Sequence, residues 1–149
     1  MAGVAISVTL RDVRLGEVTV YGELFEMLRT LRPRLTRAES DRFLAEGHSQ
    51  GLRCVVAADQ EGGPAGLALY RVVATSRGRI VFLDDLVTRP DVRSHGVGAA
   101  LLEEVMARGQ RAGCERIELD SGTANRDAQR FYERHGMAIV ATHFAKDLR

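Results

Sequence analysis

Apolar and polar positions alternate at the start of the chain, from Val4 to Leu10, which predicts a short first strand. Val20, Leu24, Met27, Leu28 and Leu31 then recur at helical spacing and predict an amphipathic helix over about Gly16 to Leu31, stopped by Pro33. Thr36-Arg37-Ala38-Glu39 has the form of a capping box and opens a second helix to about Gly47. Leu52 to Asp59, Ala65 to Val73 and Ile80 to Thr88 are apolar strand patterns separated by Gln60-Glu61-Gly62-Gly63-Pro64 and Ser76-Arg77-Gly78. Short turns of this kind make the three strands an antiparallel meander.

After Pro90 the period changes. Val97, Leu101 and Val105 form one stripe, with Leu102 and Met106 beside it, while Glu103, Glu104, Arg108 and Arg111 fall on the side assigned to water. This helix runs from about Val97 to Ala112 and Gly113 ends it. Arg116 to Asp120 is the next strand, and strand–helix–strand of this length predicts a crossover onto a parallel neighbour. Ala128, Phe131, Tyr132 and His135 mark a last helix begun by Asn125 and closed by Gly136. Met137 to Leu148 reads as a final strand. The expected fold is α/β: a mixed sheet of about six or seven strands, antiparallel at first and parallel around the glycine loop, with helices on both faces.

With 149 residues the chain suits one domain spanning residues 1–149. A net charge of +1 gives no reason to expect nucleic acid or an acidic membrane as partner. The opening stretch from Met1 to Leu10 lacks a basic start and is too short to span a bilayer, so no signal peptide and a cytoplasmic location are expected. Cys54 and Cys114 stand far apart without metal spacing and read as free thiols. His48, His95, His135 and His143 are scattered, and no metal site is expected.

The segment Arg93-Ser94-His95-Gly96-Val97-Gly98 sits between an apolar strand and an amphipathic helix. A helix N-terminus offers unpaired N–H donors and a partial positive charge, and glycine lets an anion approach the backbone. Two nucleotide motifs fail here on residues. The position three after Gly98 is Leu101 rather than the third glycine of a dinucleotide fold, and no lysine stands where a triphosphate-binding loop requires one.

The run from Leu86 to Leu102, through Arg93, Ser94, His95, Gly96, Val97, Gly98 and Ala99, resembles the acetyl-coenzyme A binding motif of the GNAT superfamily of N-acetyltransferases. Asn125-Arg126-Asp127-Ala128-Gln129-Arg130-Phe131-Tyr132-Glu133-Arg134-His135-Gly136-Met137 resembles that family's second motif, in the family's order and spacing. The resemblance implies an acetyl-coenzyme A dependent N-acetyltransferase of GNAT-like fold acting on a primary amine, a small molecule or a peptide, by direct attack. Backbone amides from Ser94 to Ala99 would hold the coenzyme pyrophosphate. Leu86, Val87 and Thr88, beside a bulge where two parallel strands splay, would pair with the pantetheine arm, and a freed N–H there would stabilise the oxyanion. Asn125, Asp127 and Ala128 would line the coenzyme's other side, and Tyr132 would serve the leaving thiolate as acid. Family members often form homodimers.

Asp84 and Asp85 are the candidates for general base, because carboxylates inside an otherwise apolar strand are costly unless used or paired. Strand alternation sends them to opposite faces, so one of the two would face the acceptor. Related members carry Glu at the position of Asp84, and the shorter side chain here implies a relay through water. Arg29, Arg32, Arg34 and Arg37 cluster where the family covers its acceptor, either as a solvated turn or as a reader of a carboxylate or phosphate. A non-catalytic acyl-coenzyme A binding or sensing domain is the rival reading. A structural module without coenzyme is a third.

Overall fold

The three apolar runs of the meander pair as the sequence predicts. In the computed structural model, which describes residues 4–149, they are β2 (Arg53–Ala58), β3 (Pro64–Thr75) and β4 (Gly78–Thr88). Ahead of them come β1 (Thr9–Val13), α1 (Tyr21–Leu31) and α2 (Arg37–Ser49). After them come α3 (Val97–Arg111) and β5 (Arg116–Leu119), then α4 (Arg126–Arg134). The described residues divide into two compact units, one ending at Glu118 and one covering residues 119–149. Met1, Ala2 and Gly3, which begin the stretch considered for a signal peptide, lie outside the described residues.

The fold is α/β with one mixed sheet in the order β1-β2-β3-β4-β5. β1 to β4 pair antiparallel in succession, with Val13 opposite Cys54, Val55 opposite Ala68 and Val81 opposite Val72. β2 is apolar at every position after Arg53 because both of its faces are covered: Cys54 and Val56 join one core, and Val55 and Ala57 are equally buried on the other side. The first core packs Leu24, Met27 and Leu28 of α1 and Leu44 of α2 over Cys54, Val56, Leu67, Leu69 and Val87. Each fully buried leucine there contributes about 1.5–3 kcal/mol by leaving water. α3 covers the opposite face with Val97, Leu101, Leu102 and Val105.

Glycines set how closely α3 approaches the sheet. A Cβ on Gly66 of β3 would lie 2.9 Å from Val97 and 3.0 Å from Leu101. A Cβ on Gly109 of α3 would lie 2.6 Å from Val81 Cγ1 and 3.1 Å from Val81 Cβ. The helix therefore rests on β3 and β4 almost backbone to backbone at both ends.

Several expectations need correction. The first strand is Thr9–Val13, not Val4 to Leu10, because β2 ends at Ala58, the partner of Thr9, and earlier residues have no ladder to join. Ile6 instead donates its N–H to the His95 carbonyl at 3.1 Å. The first helix starts at Tyr21 rather than Gly16, since Gly16 and the β-branched Val18, Thr19 and Val20 are weak helix formers; a 3-10 turn over Val18–Val20 leads into it. Arg108 is not on a watery face: it donates to Tyr70 Oη at 3.0 Å and Glu104 at 2.9 Å, and pairs with Asp12.

The sheet has five strands among the described residues rather than six or seven. Residues 137–149 form no strand, and Ile139, Val140 and Phe144 are exposed. An apolar run becomes a strand only where a neighbouring ladder takes its N–H and C=O groups.

Gly109→Val should lower the free energy of unfolding by about 1–3 kcal/mol through overpacking against Val81. Urea denaturation followed by circular dichroism checks this. An unchanged midpoint would mean that α3 does not sit this close to β4.

Candidate active site

The glycine loop begins with a tether. Arg89 donates to Asp59 at 3.0 Å, to the Pro64 carbonyl at 3.1 Å and to Asp91 at 2.7 Å, and its own N–H goes to the Ala65 carbonyl. These bonds hold the Asp59 and Asp91 carboxyls below the usual carboxylate range, with the Arg89 bond the main cause in each. The chain then makes a 3-10 turn over Pro90–Val92 and passes Arg93 and Ser94 into Gly96. Ser94 and Gly96 both have left-handed backbones, φ 66° and 87°. At Gly96 this conformation comes at little steric cost.

Gly96 is the N-cap of α3 and supplies no side-chain cap. The first-turn N–H groups, those of Val97, Gly98 and Ala99, point out of a helix end carrying partial positive charge. His95 contributes less than its place in the motif suggests. Its N–H donates to the Val92 carbonyl, its carbonyl accepts from Ile6, and its ring Nδ1–H donates to the Val4 carbonyl. The N-terminal segment thus lies along the loop.

The second feature is on β4. Asp85 pairs with Leu69 and Leu83 with Tyr70, which leaves Asp84 without a partner on β3. This is a β-bulge, and it resets the alternation. Leu83 and Tyr70 stay on one register, while Asp85 shares the side of Leu69, the side covered by α1 and α2. Both carboxylates consequently line one cleft of about 310 Å³ with Leu28, Arg32, Leu35 and Phe43. The expectation that the two aspartates face opposite sides of the sheet is therefore wrong, and the bulge is the reason. The bulge lies in the β3–β4 pairing, two residues ahead of Leu86, Val87 and Thr88, which complete β4.

The two carboxylates differ in their neighbours. Arg71 donates to Asp84 at 3.1 Å, and Arg32 stands 3.7 Å from Asp85. Burial raises the Asp84 carboxyl, opposed by the Arg71 bond. Burial pushes Asp85 further, to about 6, against the pull of the Arg32 charge and with a smaller push from Asp84. The Asp85 side chain is 11% exposed, whereas Arg32 is 68% exposed at the rim. Of the arginine cluster, Arg32 faces this cleft; Arg29 pairs with Glu26 and Arg37 with Asp41.

Asn125, Asp127, Ala128 and Tyr132 belong to the second unit. Asn125 is the N-cap of α4, its side chain accepting from the Ala128 N–H at 3.2 Å. Asp127 pairs with Arg130 within the helix. Tyr132 packs edge-on against Phe131, with ring centroids 5.2 Å apart. Cys54 is buried, and its thiol is pushed up to about 12, chiefly by that burial. It is not a nucleophile near neutral pH.

Reading the sequence missed Arg71, Arg89, Leu35 and Phe43. Arg71 carried a signal, being a charged residue in an apolar strand facing two acids in the next one. Phe43 carried none beyond its place on an amphipathic helix.

An ionised Asp85 is held in an environment that favours its neutral form. Its carboxyl stands above the unfolded value of about 3.9, so the penalty on folding is absent below about pH 4, grows between about 4 and the folded value of about 6, and is complete above it. Asp85→Asn should therefore raise stability at pH 7.5 by up to about 3 kcal/mol, offset in part by losing Arg32. At pH 4 the variant should match the wild type. Thermal melts at the two pH values check this, and an equal or lower Tm at pH 7.5 would contradict it.

Comparison with known proteins agrees with this architecture. The Acetyltransferase (GNAT) family model matches residues 21–137. The N-acetyltransferase YhdJ of Bacillus subtilis (strain 168), itself uncharacterized, is 35% identical over 75 residues, which is 50% of this chain and 53% of that protein. The match thus spans about half the length of that relative. Glucosamine-6-phosphate N-acetyltransferase from Arabidopsis thaliana superposes with a TM-score of 0.74 at 21% identity, covering 96% of this chain and 99% of that one. An aminoglycoside N-acetyltransferase in complex with coenzyme A gives 0.79 at 19% identity, covering 96% and 95%. These two structures speak to the fold. The family model, spanning both motifs and most of the residues between the ends, shows that the chain belongs to the GNAT acetyltransferase family.

Proposed function

We propose that this protein is an N-acetyltransferase that moves an acetyl group from acetyl-coenzyme A to a primary amine by direct attack. The observation that carries the reading is the bulge at Asp84. It places two carboxylates in one cleft on the strand that leads into the glycine loop. Support for the donor comes from the uncapped N-terminus of α3 behind a left-handed Gly96, a geometry suited to a pyrophosphate. A solved relative of the same fold holds coenzyme A.

In this reading the amides of Val97, Gly98 and Ala99 hold the pyrophosphate, with Arg93, Ser94, His95 and Gly96 shaping the loop around it. The backbone of Leu86, Val87 and Thr88 pairs with the pantetheine arm. Asn125, Asp127 and Ala128 line the coenzyme's other side. Asp85 is the preferred base. Asp84 is engaged by Arg71, while Asp85 is more buried and its carboxyl sits closer to neutrality, where proton transfer is most effective.

The amine loses its proton to Asp85, directly or through a water, and its lone pair forms the N–C bond. The C–S bond breaks and the departing thiolate takes a proton from Tyr132; the nitrogen gives its second proton to the phenolate so formed, leaving a neutral amide and a free thiol, and Asp85 returns its proton to water. Donor N–H groups aimed at the thioester oxygen stabilise the charge that develops there. Use of acetyl-coenzyme A goes with the cytoplasmic location expected from the sequence. Among the described residues no helix is long and apolar enough to cross a membrane.

A thermal shift with coenzyme A and a thiol-release assay with acetyl-coenzyme A across amine classes test the proposal. Binding accompanied by turnover supports it. Binding without turnover of any amine points to a sensing domain and overturns it.

Tyr132→Phe should lower kcat by about a hundred- to ten-thousandfold if the phenol protonates the leaving group, with coenzyme binding retained. Normal turnover would remove that role. With Asp85 as base, kcat/KM should fall as pH drops through about 6, and Asp85→Asn should abolish that limb. A wild-type profile flat from pH 5 to 8 would exclude Asp85.

A further inference from the structure

The cleft beside the bulge contains two ion pairs of different kinds. Asp84 and Arg71 form a closed pair at 3.1 Å, and both side chains are largely covered, at 18% and 21% exposure. Asp85 and Arg32 form an open pair at 3.7 Å, too long for a hydrogen bond, between a covered acid and an exposed base. Arg32 is the C-cap residue of α1, where the helix has ended and the side chain projects over the cleft rim. The remaining lining is apolar: Leu28, Leu35 and Phe43.

We infer that the acceptor is a small α-amino acid with an apolar side chain. Its ammonium group faces Asp85, its carboxylate is taken by Arg32, and its side chain rests on Leu28, Leu35 and Phe43. This rests on the transferase reading above and names the acceptor class of that same site.

Three observations carry it. First, a free amino acid places a cationic and an anionic group a few ångströms apart, which is the complement of an acid and a base 3.7 Å apart. The guanidinium fork binds a carboxylate with two parallel bonds. Second, charge balance favours a zwitterion. The closed pair leaves one acid and one base to be satisfied; a polycation would meet a single uncommitted carboxylate and the repulsion of Arg32 and Arg71. Third, about 310 Å³ lies at the small end of the roughly 300–1,000 Å³ that ligand pockets span, and is enough for an amino acid. The apolar walls give a branched or aromatic side chain a surface to bury, and they offer a polar one no partner.

Arg32 is then a specificity-determining residue. It reads the carboxylate and holds the amine near Asp85, without touching the transferred acetyl group.

The test is thiol release from acetyl-coenzyme A with leucine and phenylalanine, their amides, the matching amines lacking a carboxyl group, a leucine-led dipeptide, spermidine and an aminoglycoside. The expected result is a kcat/KM for the free amino acids about ten- to a hundredfold above the amides and the carboxyl-less amines. That order would hold even though the amides have the more easily deprotonated amine. Arg32→Gln should raise KM for leucine more than it lowers kcat and should bring the acid-to-amide ratio close to one, with the KM for acetyl-coenzyme A unchanged. Arg32→Lys should retain part of the ratio. A single cooperative thermal transition verifies that each variant is folded. Release with spermidine, the aminoglycoside or the dipeptide in preference to free amino acids overturns the acceptor assignment alone. So does a ratio that survives Arg32→Gln. Release with no amine overturns the transferase reading and the acceptor with it.

Discussion

The site depends on one extra residue in β4. Between Leu83, opposite Tyr70, and Asp85, opposite Leu69, the strand carries Asp84 with no counterpart on β3. Upstream of the bulge, Val81 meets Gly109 of α3; downstream, Val87 joins the core under α1 and α2. If the alternation ran on unbroken, Asp85 would follow Leu83 to the face covered by Leu101, Leu102 and Val105 of α3. A carboxylate there without a partner would cost several kcal/mol. The bulge turns it instead toward a cleft that has both a basic residue and access to solvent, so one local irregularity makes the strand's composition compatible with its burial.

The two carboxylates then share a small space, and their partners keep them different. Arg71 comes from β3, the strand that faces the bulge, and closes on Asp84. Arg32 comes from the end of α1 and stands off from Asp85. The first pair is a structural solution to burying a charge, since a covered acid with a bonded guanidinium is satisfied. The second is unfinished: Asp85 remains covered, with its carboxyl pushed up toward neutrality and its counter-ion at the rim. A group held away from its ordinary protonation balance lowers stability where it is ionised. Such groups concentrate where a proton must be exchanged.

How much of this was legible in the sequence follows from the range of the forces involved. The capping box at Thr36 and Glu39, the left-handed Gly113 after α3 and the Asn125 cap of α4 were readable because each is made within a few residues. The meander was readable from its turns, and the glycine loop from its place between strand and helix. The bulge entered only through the family resemblance, and its place opposite Leu69 and Tyr70 was not readable, because it is a mismatch between two strands and neither strand shows it alone. The role of Arg108 was hidden for the same reason: its position in α3 indicates water, but Tyr70 from β3 and Asp12 from β1 meet it there. The run from Met137 to Leu148 has strand composition and lacks a ladder. That difference also lies outside the segment itself.

β4 joins what the bulge creates to what the glycine loop offers. Its Asp85 faces the cleft under α1. Three residues later it ends at Thr88, and Arg89 ties the chain back to Asp59 and Pro64 at the β2–β3 turn. From there eight residues lead to the first turn of α3, whose Val97 and Leu101 rest on Gly66 of the neighbouring strand. The acid cleft and the uncapped helix end are thus on opposite faces of the same two strands and connected by a tethered stretch of chain. Slack between them is limited by the close approach at Gly66 and Gly109. Under the proposed function, which brings an amine and a thioester to one point, this arrangement helps, because positioning reacting groups accounts for a large share of what an enzyme without a covalent nucleophile can contribute. The glycines of the α3 contact hold that geometry as much as the charged residues do.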